Sequence, residues 1–393
     1  MIYLDNSATT PIDPEVLNAM LPYLKEEYGN PSSKYYTLAV NAEKAVEKAR
    51  EQVASLINAD TREIIFTGGA SETNNMIIKG VSDYMKYYAE KGNHIITSTV
   101  EHKSVLQTCK FLNGDVFDNN PNKSVASKLL KKKNSIKKID RGFEVDFLSV
   151  NEYGQVNAND FKNAIKENTI LASFIYGNNE IGSLNDIVTL GNIAKENNIL
   201  FHSDATQVLG KINIDVNSLP VNFMSFSAHK IYGPKGVGAA FIRQEGLSNY
   251  KLTSLIHGGQ QESGYRAGTH GVHNIVGFGK ACEIAKRDMK NYISNISELE
   301  IEVKKMILAK YPGTEFLGDP NNKIPGVIGM IIPNIVNEMF IKNIADKVAV
   351  SAGSACGVSE PSYVIEEIGY KKNRTNFIRI TLPKNFSISN LYF

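Results

Sequence analysis

A lysine and an aspartate at the ends of neighbouring apolar segments could together hold an aldehyde cofactor. Lys230 follows the segment Ser225-Phe-Ser-Ala-His, and Asp204 ends the segment Ile199-Leu-Phe-His-Ser. Pyridoxal phosphate needs a lysine for its aldehyde and a carboxylate facing its pyridinium nitrogen. Gln207, about one helical turn beyond Asp204, could reach the phenolic oxygen of the ring. These residues predict pyridoxal phosphate chemistry, although Asp204 could instead cap the helix that follows it.

A glycine-rich segment offers a site for the phosphate of such a cofactor. Gly68-Gly-Ala-Ser-Glu-Thr-Asn follows a predicted strand at 63–67 and continues as a predicted helix. Glycines let the backbone approach an anion, and the start of a helix points free N–H groups at it. Ser71 adds a hydroxyl, although an ordinary glycine turn before a helix has the same pattern. The segment Gly233-Pro-Lys-Gly-Val-Gly lacks the Gly-Lys-Ser/Thr ending of a nucleotide-binding loop.

Three further polar side chains lie at predicted strand ends or inside an apolar segment. His102 begins a predicted helix after the strand that ends at residue 99, so it either caps that helix or stacks over a flat ring. Asn178 follows another predicted strand. Arg379 lies in the apolar segment Asn376-Phe-Ile-Arg-Ile, which is costly unless its guanidinium meets an anion. A substrate carboxylate would suit this arginine.

One of the three cysteines has the surroundings of a reactive thiol. Cys356 lies in Ser351-Ala-Gly-Ser-Ala-Cys-Gly, where small residues favour an accessible loop. The thiolate is the reactive form of cysteine, and its reactivity requires exposure. Cys109 and Cys282 fall in helical patterns and are predicted to be packed, and no short spacing suggests a metal site. A lysine-bound cofactor together with a loop thiol predicts sulfur transfer.

The order of the predicted elements favours an α/β fold that would bring these residues together. The segment 39–57 has apolar residues at three- and four-residue steps, which predicts an amphipathic helix. Strands that alternate with helices of this length imply a mostly parallel sheet covered on both faces. Ligands then collect at the carboxyl ends of the strands. The predicted strands are 63–67, 94–99, 169–176, 199–204, 222–227 and 238–242.

The pattern changes after residue 256, which predicts a second, smaller α+β domain. A glycine-rich loop at 257–269 precedes a long predicted helix at 274–310, and shorter elements follow. We place the domain boundary inside that helix. Residues 15–285 then form a large cofactor-binding domain, and residues 1–14 and 286–393 form a small domain that carries the Cys356 loop.

Composition and charge narrow the class of protein. The 393 residues are 42% hydrophobic and 21% charged, with a net charge of +2, which is ordinary for a globular protein without strong attraction to nucleic acid or membrane. No signal or transit pattern and no spanning apolar run is present, so we expect a cytoplasmic, reduced setting. The lysine-rich segment 113–141 is either a solvated insertion or a docking surface for an acidic partner or RNA.

The chain resembles the NifS/IscS-type cysteine desulfurases, in the class-V branch of the fold-type-I pyridoxal phosphate enzymes. The resemblance runs nearly from end to end. It rests on these segments: Tyr3-Leu-Asp-Asn-Ser-Ala-Thr-Thr-Pro, Gly29-Asn-Pro-Ser-Ser, Phe66-Thr-Gly-Gly-Ala-Ser-Glu-Thr-Asn, Thr99-Val-Glu-His-Lys-Ser-Val, Asn178-Asn-Glu-Ile-Gly, His202-Ser-Asp-Ala-Thr-Gln, Met224-Ser-Phe-Ser-Ala-His-Lys-Ile-Tyr-Gly-Pro-Lys-Gly, the loop ending at Thr269, and the Cys356 loop with Glu360-Pro-Ser-Tyr-Val.

The resemblance implies a role for each matching residue. Lys230 would be the Schiff-base lysine and Cys356 the persulfide carrier. His102 would stack on the ring, while Asp204 and Gln207 would face its nitrogen and its phenolic oxygen. Asn178 and Arg379 would hold the substrate carboxylate. The implied phosphate ligands are Ala70, Ser71, Ser227, His229 and, from the second subunit of a homodimer, Thr269.

The resemblance also implies the fold and the reaction. A seven-stranded, mostly parallel sheet would lie between helices in the large domain. L-cysteine would give L-alanine and a Cys356 persulfide, whose sulfur would pass to an acceptor or scaffold protein for iron–sulfur cluster assembly or for thiolation. No membrane partner and no direct contact with nucleic acid are expected.

Several positions depart from the family pattern and keep other functions open. Ser71 stands where threonine is usual, and Tyr35 where histidine is frequent. The loop after Cys356 is about two residues shorter than in familiar members, and the chain stops at Phe393, before the usual terminal helix. A selenocysteine lyase, an aminotransferase, or a non-catalytic protein that binds cofactor and partners are the alternatives.

Overall fold

A seven-stranded sheet forms the centre of the computed structural model, which describes residues 1–116, 138–246, 248–353 and 362–386. The strand order is β2-β8-β7-β6-β5-β3-β4. Only β8 runs antiparallel to its neighbours, so the predicted mostly parallel sheet is confirmed. The strands of this sheet are β2 (Ile64–Thr67), β3 (His94–Ser98), β4 (Glu144–Leu148), β5 (Thr169–Ile175), β6 (Leu200–Asp204), β7 (Phe223–Ser227) and β8 (Gly238–Ile242).

Helices cover both faces of this sheet because successive strand residues point to opposite sides. In β2, Ile64 and Phe66 pack into one apolar core, and Ile65 packs into the other. The helices α1, α2, α5, α6 and the first half of α7 contribute to the first core, and α3 and α4 to the second. Their bounds are α1 (Pro14–Lys25), α2 (Thr37–Ile57), α3 (Ala70–Tyr87), α4 (Lys103–Leu112), α5 (Ala158–Ala164), α6 (Ile187–Glu196) and α7 (Val272–Lys310).

The elements that were predicted individually agree with these bounds to within a few residues, and among the strands of the large sheet there is one omission. The helix predicted at 39–57 is α2, the helix predicted from 274 is α7, and Cys109 and Cys282 are buried in their helices as predicted. The omission is β4, which lies at the edge of the sheet and carries Glu144 and Asp146. Lys166 pairs with both carboxylates, at 2.5 Å and 3.0 Å. Charges on a half-exposed edge strand weaken the apolar signal that reveals buried strands.

A smaller antiparallel sheet follows α7. It has the order β11-β12-β14, and a short parallel pair joins β1 near the amino terminus to β13. Leu4 packs in the same core as Ile296 of α7 and Ile378 of β14. The predicted division into 15–285 and 1–14 with 286–393 stays a prediction. The remaining bounds are β1 (Ile2–Tyr3), β9 (Gln244–Glu245), β10 (Ser248–Asn249), β11 (Glu315–Leu317), β12 (Val327–Ile331), α8 (Asn337–Ile344), β13 (Val348–Ala349), α9 (Tyr363–Glu367) and β14 (Phe377–Thr381).

Two sequence features fall largely outside the described residues. The Cys356 loop lies there, and so does the lysine-rich part of the segment 113–141. The described ends of that segment are joined, because Asp115 and Lys138 form a β-bridge and Ile139 N–H donates to Gly114 O at 2.8 Å.

Candidate active site

A cleft of about 500 Å³ opens at the carboxyl ends of β5, β6 and β7, where the sheet topology predicts a ligand site. Ile175, Asp204 and Ser227, the last residues of these three strands, all line it. Most of the site residues predicted from sequence lie in its walls. They are Ala70, Ser71, His102, Asp204, Gln207, Ser227, His229, Lys230 and Arg379.

Lys230 projects from a short turn directly after β7. The turn is a 3-10 helix, Ala228–Lys230. Lys230 Nζ donates to the backbone carbonyls of Ser7 at 2.6 Å and Ala8 at 2.7 Å. The amino-terminal segment that supplies these carbonyls is held in place by Thr10, whose N–H donates to His229 O at 2.9 Å. The lysine amine is therefore held in the cleft by backbone acceptors.

Asp204 is a buried carboxylate whose oxygens are bound by three donors. Thr206 donates to Oδ1 from its N–H at 3.0 Å and from its hydroxyl at 2.5 Å. Asn74 Nδ2 donates to Oδ2 at 2.8 Å. Three donors offset the cost of burying the charge, and Thr206 makes Asp204 a cap for the following turn as well. The two roles considered for this residue are therefore compatible.

Asn74 also connects Asp204 to His102. The same Nδ2 group donates to Ser104 Oγ at 2.8 Å, and Ser104 Oγ lies 2.8 Å from His102 Nδ1. His102 Nδ1 accepts from Ser104 N–H at 3.2 Å and so caps α4, as one interpretation of the sequence held. Sequence reasoning missed Asn74 and Ser104. Asn74 could have been noticed because it is an amide at the helical spacing of Ile77, Ile78 and Val81, on the buried face of α3.

The start of α3 has the properties of an anion-binding site. Its N-cap is Gly69, which makes no side-chain cap, so the first N–H groups of an 18-residue helix are free of that partner. Gly69 has φ of 143°, and a Cβ built there would lie 3.6 Å from Ser227 Oγ. Because a side chain would begin to fill this space, glycine keeps the space between the helix start and Ser227 open. A phosphate fits this combination of donors.

Three cationic side chains line the cleft, and two carboxylates, those of Asp204 and Glu72, line it as well. Lys230, Lys235 and Arg379 line it together with His229, whose Nδ1 lies 3.1 Å from Thr9 Oγ1. Burial, followed by the charges of Lys230 and Lys235, lowers the pKa of His229 to about 4. His229 is therefore neutral at neutral pH and offers a hydrogen bond to an incoming anion without adding another charge.

Arg379 has two of its guanidinium nitrogens bonded and one without a partner. Nη2 donates to Asp5 Oδ1 at 2.5 Å and Nη1 to Asn179 O at 2.9 Å. Nε is buried and has no hydrogen-bond partner among the described residues. The side chain lies at the cleft, so a carboxylate ligand would supply a partner that the chain itself does not.

Two predicted ligands do not line this cleft within one chain. Asn178 is buried beside it: its Oδ1 accepts from the N–H groups of Glu180 at 2.9 Å and Ile181 at 3.2 Å, and the next residue, Asn179, lines the cleft instead. Thr269 is exposed on the glycine-rich loop. A third predicted residue, Cys356, lies outside the described residues.

Glu262 fastens the glycine-rich loop that carries Thr269 to strand β2. Its Oε1 accepts from Arg50 Nη2 at 2.9 Å and from His270 Nε2 at 2.6 Å, and its Oε2 accepts from Phe66 N–H at 2.7 Å. Burial alone would raise the pKa of Glu262, but the bonds from Arg50 and His270 outweigh burial and lower the pKa to about 2. No signal in the sequence identified this anchor.

Comparisons with known proteins agree with this geometry. The Aminotransferase class-V model matches residues 2–132 and 132–387. A relative named "Cysteine desulfurase IscS", from Plasmodium falciparum, is 41% identical over 94% of this chain and 63% of its own length. "Cysteine desulfurase, mitosomal", from Encephalitozoon cuniculi, is 40% identical over 98% of this chain and 84% of its own. A solved structure titled "SspA in complex with cysteine" has a TM-score of 0.78 and 33% identity, and covers 98% of this chain and 99% of that one.

The chain therefore belongs to the class-V aminotransferase family of pyridoxal phosphate enzymes, with the fold-type-I architecture that the sequence predicted. Within that family it belongs to the cysteine desulfurases. It spans 63% of the length of the Plasmodium relative. In the described part of the chain, no helix is long and apolar enough to cross a membrane.

Replacing Glu262 with glutamine should destabilise the fold by about 3 kcal/mol, because it removes the buried carboxylate that binds Nη1 and Nη2 of Arg50 and leaves only the exposed Glu47 as its counter-charge. The stabilisation comes from a carboxylate whose pKa is lowered on folding. It should therefore be complete above the ordinary pKa of 4.5 and disappear as the pH falls toward 2. Urea unfolding of both proteins across this pH range measures the difference, with the exposed Glu298→Gln as the control. Equal stabilities at pH 7 would contradict the assignment.

Proposed function

We propose that this protein removes sulfur from L-cysteine, releases L-alanine and carries the sulfur on Cys356 for delivery to an acceptor. The observation that carries the proposal is one cleft that holds Lys230 Nζ, the Asp204 carboxylate and an uncapped helix start. The family membership reported above supports the same reaction.

Pyridoxal phosphate fits the residues of this cleft. Lys230 would take its aldehyde, Asp204 and Gln207 would meet its ring nitrogen and phenolic oxygen, and His102 would cover its face. When bound, the cofactor withdraws electrons from the carbon that carries the substrate amine. The proposed phosphate ligands are Ala70, Ser71, Ser227 and His229, with Thr269 of a second copy. The open space between Gly69 and Ser227 supports this placement.

Lys230 is the proposed proton carrier. Its amine, once freed of the cofactor, takes the proton from the substrate α-carbon and later returns it. The carbonyls of Ser7 and Ala8 accept from Nζ and therefore favour the ammonium form that exists between these steps. Thr206 and Asn74 donate to both oxygens of Asp204 and would hold this side chain in place toward the ring nitrogen.

Arg379 and Asn178 are the proposed ligands of the substrate carboxylate. Arg379 offers Nε, which has no partner among the described residues. Asn178 donates from Nδ2 to Val100 O at 3.4 Å, which is longer than the bonds to its Oδ1. This long bond is the one a carboxylate would most easily replace. A buried arginine with one donor left unused by the described residues suits a substrate that carries a carboxylate.

The thiol of Cys356 is the proposed sulfur acceptor. Its thiolate attacks the substrate sulfur, the new S–S bond forms as the C–S bond breaks, and alanine leaves after the carbon takes a proton. Thiol plus cysteine becomes persulfide plus alanine, so no outside oxidant is needed. The segment that leads to Cys356 starts beside the cleft, because the carbonyl of Ser351 accepts from Arg379 N–H at 2.7 Å. Five residues extend at most roughly 17 Å from there to Cys356.

A homodimer, a protein acceptor and a cytoplasmic location complete the proposal. The large exposed apolar side chains Tyr28, Tyr35 and Tyr36, with 73%, 96% and 50% of their surface exposed, are candidates for contact with a second copy. The acceptor would be a scaffold protein for iron–sulfur clusters or an enzyme of thiolation. One relative is named a mitosomal enzyme, and a cytoplasmic location is proposed here for this chain.

Substituting Lys230 by alanine should abolish the visible absorbance of bound cofactor and lower alanine production by roughly three orders of magnitude. Absorbance spectra and an alanine assay on the purified protein measure both effects. The exposed Lys195→Ala, on α6, is the control and should keep both. Turnover that survives in Lys230→Ala would refute the role of this lysine. A cofactor-bound wild-type protein that forms no alanine would favour the non-catalytic alternative.

Replacing Cys356 with alanine should leave the cofactor spectrum intact and remove the persulfide. Trapping the persulfide with an alkylating reagent, followed by mass spectrometry, locates the sulfur. Sulfide release with a reductant should fall by roughly two orders of magnitude or more because the nucleophile is lost. The buried Cys282→Ala is the matched control. Unchanged sulfide release in Cys356→Ala would rule out this nucleophile, and a strong preference for selenocysteine would favour the lyase alternative.

A further inference from the structure

We propose that Lys211 is a positioning residue of this active site, which directs the amide of Gln207 and, through its charge, sets the protonation of Lys230. The inference rests on the proposed cofactor site and deepens it. Lys211 does not line the cleft and has no role in the proposal above.

Lys211 lies behind Lys230, on the side away from the cleft. It is a nearly buried lysine, with 6% of its surface exposed. It lines a second, smaller cavity of about 50 Å³, together with Asn6, Thr10 and Tyr292. Lys230 lines both this cavity and the cleft, and Gln207, which is bonded to Lys211, also lines the cleft.

A chain of hydrogen bonds joins the two lysines through Gln207. Lys211 Nζ donates to Gln207 Oε1 at 3.4 Å, and Gln207 Nε2 donates to Ser7 O at 2.9 Å. The same carbonyl accepts from Lys230 Nζ at 2.6 Å. An ammonium group has only donors, so Lys211 attracts the oxygen of the Gln207 amide and turns the NH₂ group toward Ser7 and the cleft. That NH₂ group is the donor a phenolic oxygen requires.

The charges around Lys211 are mainly positive. Lys230 and Arg379 face it from the turn after β7 and from β14. The charge of Lys211 also contributes to lowering the pKa of His229. In the wall of the small cavity, Asp13 pairs with Lys384 and Asp288 pairs with Arg287, while Tyr232 and Tyr292 are un-ionised phenols with raised pKa. No carboxylate of the described residues forms an ion pair with Lys211. Burial, and then the charges of Lys230 and Arg379, lower the pKa of Lys211 to about 7.

The two amines therefore compete for positive charge. A proton on Lys211 disfavours a proton on Lys230, and the reverse holds equally. A buried lysine with a purely structural role would be expected to form an ion pair with a carboxylate. Here the buried amine instead faces the lysine that must gain and lose a proton during turnover.

The first test is a pH titration of the visible absorbance of the cofactor-bound protein. In Lys211→Met the midpoint should move up by roughly one pH unit, because Lys230 no longer shares the site with a second cation. Lys211→Arg retains the charge and should keep the midpoint at or below the wild-type value. The exposed Lys162→Met is the control and should match the wild type. A midpoint that is unchanged in Lys211→Met overturns the inference alone, whereas a wild-type protein without any visible band refutes the proposed function and this inference with it.

The second test uses the cofactor-free full chain and reports on the buried charge directly. The pKa of Lys211 is lowered on folding from its ordinary 10.5 to about 7, so the cost of burying its charge is complete below pH 7 and absent above 10.5. The melting temperature of Lys211→Met minus that of the wild type should therefore be several degrees higher at pH 7 than at pH 10. A difference that stays constant between these pH values would contradict a buried, uncompensated ammonium at this position.

Discussion

The hydrogen bonds from Lys230 to two backbone carbonyls are the interaction on which the rest of the site depends. They join a turn after β7 to Ser7 and Ala8, near the amino terminus. The amino-terminal segment can supply these carbonyls only because it is anchored on both sides. Its start pairs with β13 and, at Asp5, with Thr381 of the smaller sheet, and Thr10 N–H donates to His229 O in the turn that follows β7 of the larger sheet. The site is thus built where the two sheets are joined by one short stretch of chain.

Three buried carboxyl groups near the cleft, those of Glu101, Glu180 and Asp204, differ in how fully their oxygens are hydrogen-bonded. Burial raises the pKa of Glu101 to about 8, and burial also raises the pKa of Glu180 despite the nearby charge of Arg379. Each of these two carboxyl groups also has one oxygen without a hydrogen-bond partner among the described residues. Asp204 differs because it accepts from three donors, two on Thr206 and one on Asn74. Asp204 is thus the member of the three with donors on both oxygens, and it lines the cleft together with Lys230 and Arg379.

The sequence predicted the side chains that carry chemistry better than the groups that hold them. Asp204, Lys230 and Ser71 were predictable because polar residues at the ends of apolar strands meet at one edge of a parallel sheet. The acceptors of Lys230 were not, because backbone carbonyls leave no mark on residue type. Asn74 was visible only as an amide in a buried stripe, and its partner Ser104 lies in another helix. Strand β4 was missed because its charges are compensated by Lys166, a contact made across the chain. The structure brings most of the predicted side chains into one cleft, while the roles of all of them, including Cys356, Asn178 and Thr269, remain predictions.

Chemical trapping of the bound cofactor tests the central claim most directly. Sodium borohydride reduces the bond between a lysine and a pyridoxal aldehyde to a stable amine, and mass spectrometry of the digested protein then locates the modified residue. The account predicts the label on Lys230 alone, although Lys211 is a second buried amine close by, and Lys235 a third cation at the cleft. A label on Lys211 or Lys235 in an enzyme that turns over cysteine would contradict it.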